Sequence, residues 1–301
     1  METCVFLSNE LAEPLAGTAP TTPGWLLLEH PGPWAAKAVA ASRGLDDGIG
    51  AELDGRASRA GFRATLIRRP DTAAGPGPSD ERAAYLVWTE PGATWMRKLR
   101  VSGPADLLAL DLAALAGPAE PSIGEPVTEP LILVCTNGKR DRCCSIEGRP
   151  LAATLAQTFP TATWEATHLG GHRFAPTAAV LPQGYVYGRL DPSSAGAVVA
   201  AAQRGDMVPD LCRGRSTYSR AAQAAELAVR AECRDHRADA LSVYDERKED
   251  HGAWTVRVDH VDGRTWTLTV DALREAPARP ESCGKSEGLP TSMRARFPSR
   301  R

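Results

Sequence analysis

Apolar positions in this chain come as short runs punctuated by turn residues, and their spacing alternates between strand and helix periods. WLLLE (25–29) has strand length and runs into a Pro-Gly-Pro turn at 31–33. Residues 34–61 are Ala-rich with helical spacing, broken at Gly44 and at Gly48–Gly50. FRATLIRR (62–69), AAYLVWTE (83–90) and WMRKLRV (95–101) predict three strands, and PDTAAGPGPSDE predicts an exposed loop between the first two. A helix at about 105–116 (DLLALDLAALA) closes this stretch.

GPAEPSIGEPVTEP (117–130), with four prolines, reads as a linker. LILVC (131–135) then predicts a strand ending in a Cys-bearing polar loop, and RPLAATLAQT (149–158) a helix with Pro150 in its first turn. TATWEAT (161–167) is strand-like by its β-branched and aromatic content, and TAAVLP with YVYGRL predicts a hairpin around Gln183-Gly184. A helix at about 193–203 completes an order resembling that of the first half, although no motif repeats between them. Two related layers and two unrelated α/β halves both remain open. Beyond 206, one helix (219–236) precedes LSVYDER, AWTVRVDH and RTWTLTVD, whose alternation predicts a three-stranded meander with one solvated face. The tail from about 276 reads as loose. The expected organisation is an α/β half over 1–118, a second α/β unit over 119–205, and a helix-plus-meander unit over 206–301.

Composition narrows the class. The chain of 301 residues is 43% hydrophobic and 24% charged with a formal net charge of −2, which gives no electrostatic case for nucleic acid or an acidic membrane. No run approaches the roughly 20 apolar residues of a membrane span. The N-terminus carries Glu2, Glu10 and Glu13 in place of the basic start of a secretory signal, so a cytoplasmic protein is expected. In a reducing compartment, seven scattered cysteines point to metal or redox chemistry rather than a disulfide framework.

The residues suited to that chemistry lie after two strands. VCTNGKRDRCCS supplies Cys135, Cys143 and Cys144, and HLGGH supplies His168 and His172. Loops beyond strand ends can converge at one sheet edge, where α/β proteins place ligands. Two thiolates with two imidazoles suit Zn2+ or a mixed-ligand iron–sulfur cluster. Against a zinc finger, Gly170-Gly171 disfavours a helix between the histidines, and the cysteines stand seven or eight residues apart rather than two to four. A longer Cys loop suits a [2Fe–2S] cluster, so the spacing favours the cluster without excluding zinc.

VCTNGKRDRCCSIEGRPLAATL, WEATHLGGHRFAPTAAVLPQGYVYGRL and RGRSTYSRAAQAAELAVR resemble the sucrase/ferredoxin-like family, which includes bis-histidinyl, thioredoxin-like [2Fe–2S] proteins. GTAPTTPGWLLLEHPGPWAAKA and ESCGK are similar more weakly. The resemblance implies a thioredoxin-like ferredoxin domain over 119–205, electron transfer, and cluster ligands spaced Cys-x8-Cys and His-x3-His. Those positions are Cys135, Cys144, His168 and His172, with Cys143 a buried neighbour or substitute ligand. It also implies a redox partner protein, as electron donor or acceptor, and a carrier rather than a catalyst. No carboxylate pair supports a glycosidase reading of the family name.

Other residues carry weaker expectations. Lys139, Arg140, Arg142 and Arg173 either balance an anionic cluster or are simply solvated. Cys212 and Cys233 read as core or surface residues, Cys4 as inert, and Cys283 as able to approach the cluster domain. His30, His236, His251 and His260 read as surface or strand residues, and Trp164 as a core aromatic. No Cys-x-x-Cys occurs, which counts against a disulfide reductase, and GIGAELDG (48–55) lacks the GxGxxG of flavin or nicotinamide sites. Two other functions stay open: a scaffold with a structural zinc, and a thiol-redox enzyme using Cys143-Cys144 or Cys283.

Overall fold

The computed structural model describes residues 3–45, 48–70, 81–250 and 252–298. Most of the predicted 70–81 loop, and His251, lie outside the described residues. The first half contains α1 (Cys4–Glu10), β1 (Gly24–Glu29), α2 (Ala38–Ala41), α3 (Ile49–Arg59), β2 (Phe62–Arg68), β3 (Arg82–Trp88) and β4 (Trp95–Val101). Two short helices follow, α4 (Pro104–Leu108) and α5 (Leu112–Leu115), where one was expected, and then a two-residue strand β5 (Glu125–Pro126).

The second half repeats that plan. It runs β6 (Leu131–Cys135), α6 (Arg142–Thr158), β7 (Thr163–Ala166), β8 (Ala178–Leu181), β9 (Tyr185–Tyr187), α7 (Pro192–Gln203) and β10 (Cys212–Arg215). In each half a βαβ unit gives a parallel pair, β1–β2 or β6–β7, and two strands then add antiparallel beside the first. The halves therefore share one topology although no sequence motif repeats. They join edge to edge, β2 antiparallel to β7 through Ile67↔Ala166 and Arg68↔Glu165, into one ten-stranded sheet ordered β10-β9-β8-β6-β7-β2-β1-β3-β4-β5. The seam is held by the Arg68–Glu165 ion pair at 2.6 Å and by the Arg69 guanidinium 3.7 Å from the Trp164 ring centre.

WLLLE and LILVC are continuous apolar runs because both faces of their strands are buried. Ile132 and Val134 face α6 and α7 through Leu151, Leu155, Val198 and Val199. Leu131, Leu133 and Cys135 face the opposite way, into a core shared with Trp25, Leu27 and Trp164, which crosses the seam between the halves. Trp164 is a core residue, as expected.

The last unit has one more strand than its alternation predicts. β11 (Leu241–Lys248), β12 (Trp254–His260), β13 (Thr265–Arg274) and β14 (Thr291–Arg296) form a four-stranded antiparallel sheet. The tail read as loose thus ends in β14, whose Met293 fills the core between this sheet and α8 (Arg220–Cys233). α8 is apolar toward the small sheet through Ala221, Ala225 and Val229. It presents Glu226 and Arg230, both fully buried, to the large one, where Glu226 accepts the Tyr185 hydroxyl at 2.7 Å and pairs with Arg230 at 2.8 Å. β10 belongs to the large sheet, and no described helix is long and apolar enough to cross a membrane.

Candidate metal centre

The sites predicted from sequence lie where β6 and β7 end. Cys135 is the last residue of β6. α6 begins seven residues earlier than predicted: Asp141 caps it by accepting the Cys143 N–H at 2.9 Å, leaving Pro150 in the helix interior. Cys143 and Cys144 are therefore its second and third residues, not loop residues. The helix can lie against the end of β6 because residue 148 is glycine. A Cβ there would stand 2.1 Å from the Cys135 carbonyl oxygen.

On the other side, Thr167 continues the β7 pairing by donating its N–H to Leu66 and accepting the Leu66 N–H on its hydroxyl. HLGGH follows. Gly170 (φ +83°) and Gly171 (φ +71°) both adopt the left-handed region that side chains disfavour, and His172 opens a single 3-10 turn, His172–Phe174. The two imidazoles stack with ring centres 4.4 Å apart and planes at 25°. His172 Nδ1 lies 3.2 Å from the Cys144 sulfur, whereas His168 Nδ1 is buried with no hydrogen-bond partner.

Electrostatics set the protonation states. Hydrogen bonding to Cys144 draws the fully buried Cys135 thiol down to about 7 against its desolvation, helped by the Leu169 and Asn137 amides; the same contact pushes Cys144 up. Burial pushes His168 down to about 3, with His172 beside it adding to the effect, and burial also lowers His172. Both imidazoles are thus neutral at pH 7, the form that ligates metals.

Two arginines that the sequence does not point to, half-buried Arg63 and fully buried Arg213, hold the histidine loop. Arg63 donates to the His168 carbonyl at 2.7 Å. Arg213, on β10, donates to the Gly170 carbonyl at 3.0 Å, to the Thr18 hydroxyl at 3.1 Å and to the Thr18 carbonyl. Its burial and the nearby Arg173 push it down to about 9, so it stays charged at neutral pH. The only sequence signal was an RGR triplet in a segment resembling the family. Arg173, one of the expected charge-balancing residues, is instead committed to Glu13 at 2.6 Å and Glu281 at 3.4 Å, and Lys139, Arg140 and Arg142 are exposed. A cavity of about 450 Å³ opens beside His168, with Lys37, Arg63 and Arg140 on its walls.

A second group of thiols lies behind the first. Cys143 points away from Cys144 and meets Cys283 at 3.3 Å and Cys4 at 3.8 Å; Cys4 and Cys283 are 3.5 Å apart. Asp141 completes the group, its second oxygen accepting the Ser282 hydroxyl at 2.7 Å and the Cys283 N–H at 3.0 Å. These bonds, with the Cys143 amide, keep its carboxyl below the usual value despite burial. Cys283 does approach the unit that carries Cys135 and Cys144, and Cys4, expected to be inert, is one of three sulfurs that meet there. Nothing in the sequence near Cys4 signalled this. Cys212 is buried in the core and Cys233 half-buried. His30 and His260, expected as surface or strand residues, are buried, His30 with its Nε2 2.9 Å from the Arg43 carbonyl and His260 on β12 with its Nε2 3.1 Å from Asp235; His236 is exposed.

Fold and donors together define a mixed α/β protein of thioredoxin-like build, with sulfur and imidazole groups gathered at the ends of two central strands. The sucrase/ferredoxin-like family model matches residues 15–214, and the chain belongs to that family. The matched span takes in both halves of the ten-stranded sheet, including Arg213. No curated protein and no solved structure matches the chain.

Proposed function

We propose that this protein is a [2Fe–2S] electron carrier in which Cys135 and Cys144 hold one iron and His168 and His172 the other. The observation that carries this reading is the convergence of two thiols with two neutral imidazoles, one of which keeps a buried, unpartnered Nδ1. Such an orphaned acceptor costs free energy unless something occupies its lone pair. A [2Fe–2S] centre bound there would supply one-electron oxidation and reduction.

The chain's own residues set the terms of that chemistry. The two glycines present both imidazoles from a tight loop. Two thiolates and two neutral imidazoles leave an oxidised centre uncharged, and one electron makes it anionic. Arg63 and Arg213, donating to the carbonyls of the histidine loop, favour the reduced state and raise the potential. An iron-bound imidazole that has lost its outer N–H proton at alkaline pH can regain it as the electron arrives, which makes the potential fall with rising pH there. The cavity beside His168, walled by Lys37, Arg63 and Arg140, is where an acidic redox partner would approach. Free thiols throughout fit a reducing, cytoplasmic setting.

One observation favours a second reading, a structural zinc on the same donors. Sulfur and nitrogen bound to one tetrahedral zinc stand about 3.5 Å apart, from bond lengths of about 2.3 and 2.0 Å. The observed Cys144–His172 separation is 3.2 Å, and a two-iron centre would require that contact to open. Anaerobic purification followed by metal analysis and visible absorption decides between them. The cluster reading expects coloured protein with about two irons per chain, dependent on Cys135; colourless protein whose Cys135-dependent metal is one zinc refutes it. Changing both His168 and His172 to Cys should retain a cluster, lower its potential and abolish its pH dependence.

A further inference from the structure

The group formed by Cys4, Cys143, Cys283 and Asp141 takes no part in the proposed electron-transfer site. Its members come from α1, the first turn of α6 and the segment before β14, so chain separations of 139, 140 and 279 residues close at one point. Chance packing of small apolar residues would not require three sulfurs and a carboxylate oxygen all within 4.8 Å of one another.

The sulfur triangle has sides of 3.3, 3.5 and 3.8 Å. Thiolates on one tetrahedral zinc stand about 3.8 Å apart, given bonds of about 2.3 Å. Disulfide sulfurs stand at about 2.05 Å, and three thiols in one place cannot all pair with each other. Soft sulfur donors with one hard oxygen, in a compact and largely buried setting, suit zinc better than calcium, magnesium or copper(II).

We propose that Cys4, Cys143, Cys283 and Asp141 form a structural zinc site, separate from the Cys135/Cys144/His168/His172 centre. Zinc binding displaces the thiol protons to solvent and forms three Zn–S bonds and one Zn–O bond, with no change of oxidation state. The site clasps α1 and the 281–285 segment to α6. α1 also lies against the 3-10 turn that carries His172, with Cys4, Val5, Cys143 and Ala175 in one apolar cluster. The zinc therefore braces the back of the histidine loop without contacting the electron-transfer donors.

Metal analysis of anaerobically purified full-length protein and of two variants tests this. Wild type should carry a zinc that survives gel filtration. The Cys4→Ser/Cys283→Ser variant should lose one zinc per chain while its iron content and visible spectrum stay unchanged. Cys283→Ser alone, at a half-buried position, guards against a folding artefact and should show the same loss with an unchanged circular dichroism spectrum. Titrating metal-stripped wild type with Co2+ should produce a thiolate charge-transfer band, of which the double variant keeps only the part that Cys135 and Cys144 supply. Full zinc retention by the double variant, no Co2+ band in wild type, or a Cys143–Cys283 disulfide in protein kept reduced would each overturn the proposal. Metal that depends on Cys4 and Cys283 reports on this site and metal that depends on Cys135 on the other, so the two readings can fail independently.

Discussion

Gly170 and Gly171 look equivalent in the sequence, yet alanine should affect them unequally. Both have positive φ, so either substitution places a side chain in the left-handed region at a cost of about 1–2 kcal/mol. Around Gly170 there is open space: a Cβ would meet nothing within 4 Å. At Gly171 it would stand 2.3 Å from an Arg213 terminal nitrogen. Arg213 cannot swing aside freely, because it is buried and donates to the Gly170 carbonyl and to two oxygens of Thr18. Losing even one hydrogen bond from a charged donor costs about 1.5–3 kcal/mol, so Gly171→Ala should cost about 2.5–5 kcal/mol in total. At roughly 2 °C per kcal/mol for a chain of this size, thermal unfolding should fall by about 2–4 °C for Gly170→Ala and about 5–10 °C for Gly171→Ala. Gly171→Ala should also lower metal retention by the histidine loop. In an Arg213→Ala background, the second substitution should cost no more than the first. Equal losses for the two single variants would refute the argument, since only the approach of Arg213 distinguishes the positions.

Three further outcomes follow from other parts of the molecule. Gly148→Ala should drive α6 off the end of β6 and reduce metal bound at Cys135 and Cys144, whereas Gly196→Ala on α7, whose Cβ would sit 3.9 Å from Phe159, should be neutral or stabilising by up to about 1 kcal/mol. Metal content and urea unfolding separate these two effects. Glu226→Ala would leave Arg230 and the Tyr185 hydroxyl without their buried carboxylate, so urea unfolding should show a loss of about 3–5 kcal/mol. Hydrogen bonding from Arg237, aided by His260, holds the Asp235 carboxyl below its ordinary value. A depressed carboxyl pKa contributes stability above the unfolded value of about 3.9 and loses it as pH falls through the folded value. Between pH 5 and 2.5 the urea midpoint of wild type should therefore fall more steeply than that of Asp235→Asn.

Legibility in the sequence followed the range of the interaction. WLLLE, LILVC, WMRKLRV and the YVYGRL hairpin were readable because strand burial is written in neighbouring residues. The shared plan of the two halves was visible as an order of elements, but edge-to-edge joining rests on only two register pairs, Ile67↔Ala166 and Arg68↔Glu165, with no local pattern. The start of α6 was obscured by Gly148 and Pro150, both poor helix formers; Gly148 is there for its fit against the Cys135 carbonyl. β14 was missed because Ser292, Arg294, Ala295 and Arg296, four of its six residues, are charged or small, and its register depends on Met293 reaching a core built by α8. In the candidate site, the Cys and His positions were legible from spacing and family resemblance. Arg63 and Arg213 were not, since their partners are carbonyls supplied by backbone far away in the chain. The meeting of Cys4 with Cys143 and Cys283 required the whole chain to fold first.

The ends of the two sheets bear on how the protein behaves in a crowded solution. The large sheet finishes on one side at β5, only two residues long and containing Pro126, which has no N–H to offer an incoming strand. At its other margin the amides of Gly17 and Thr18 already occupy the Arg213 carbonyl on β10. The small sheet presents Asp245, Glu246, Arg247 and Lys248 along β11, and Arg294 and Arg296 on β14. A protein with this much β-structure offers foreign strands no smooth template, so concentration alone should not drive it into fibrils. Aggregation would first need one of these margins to be unmade.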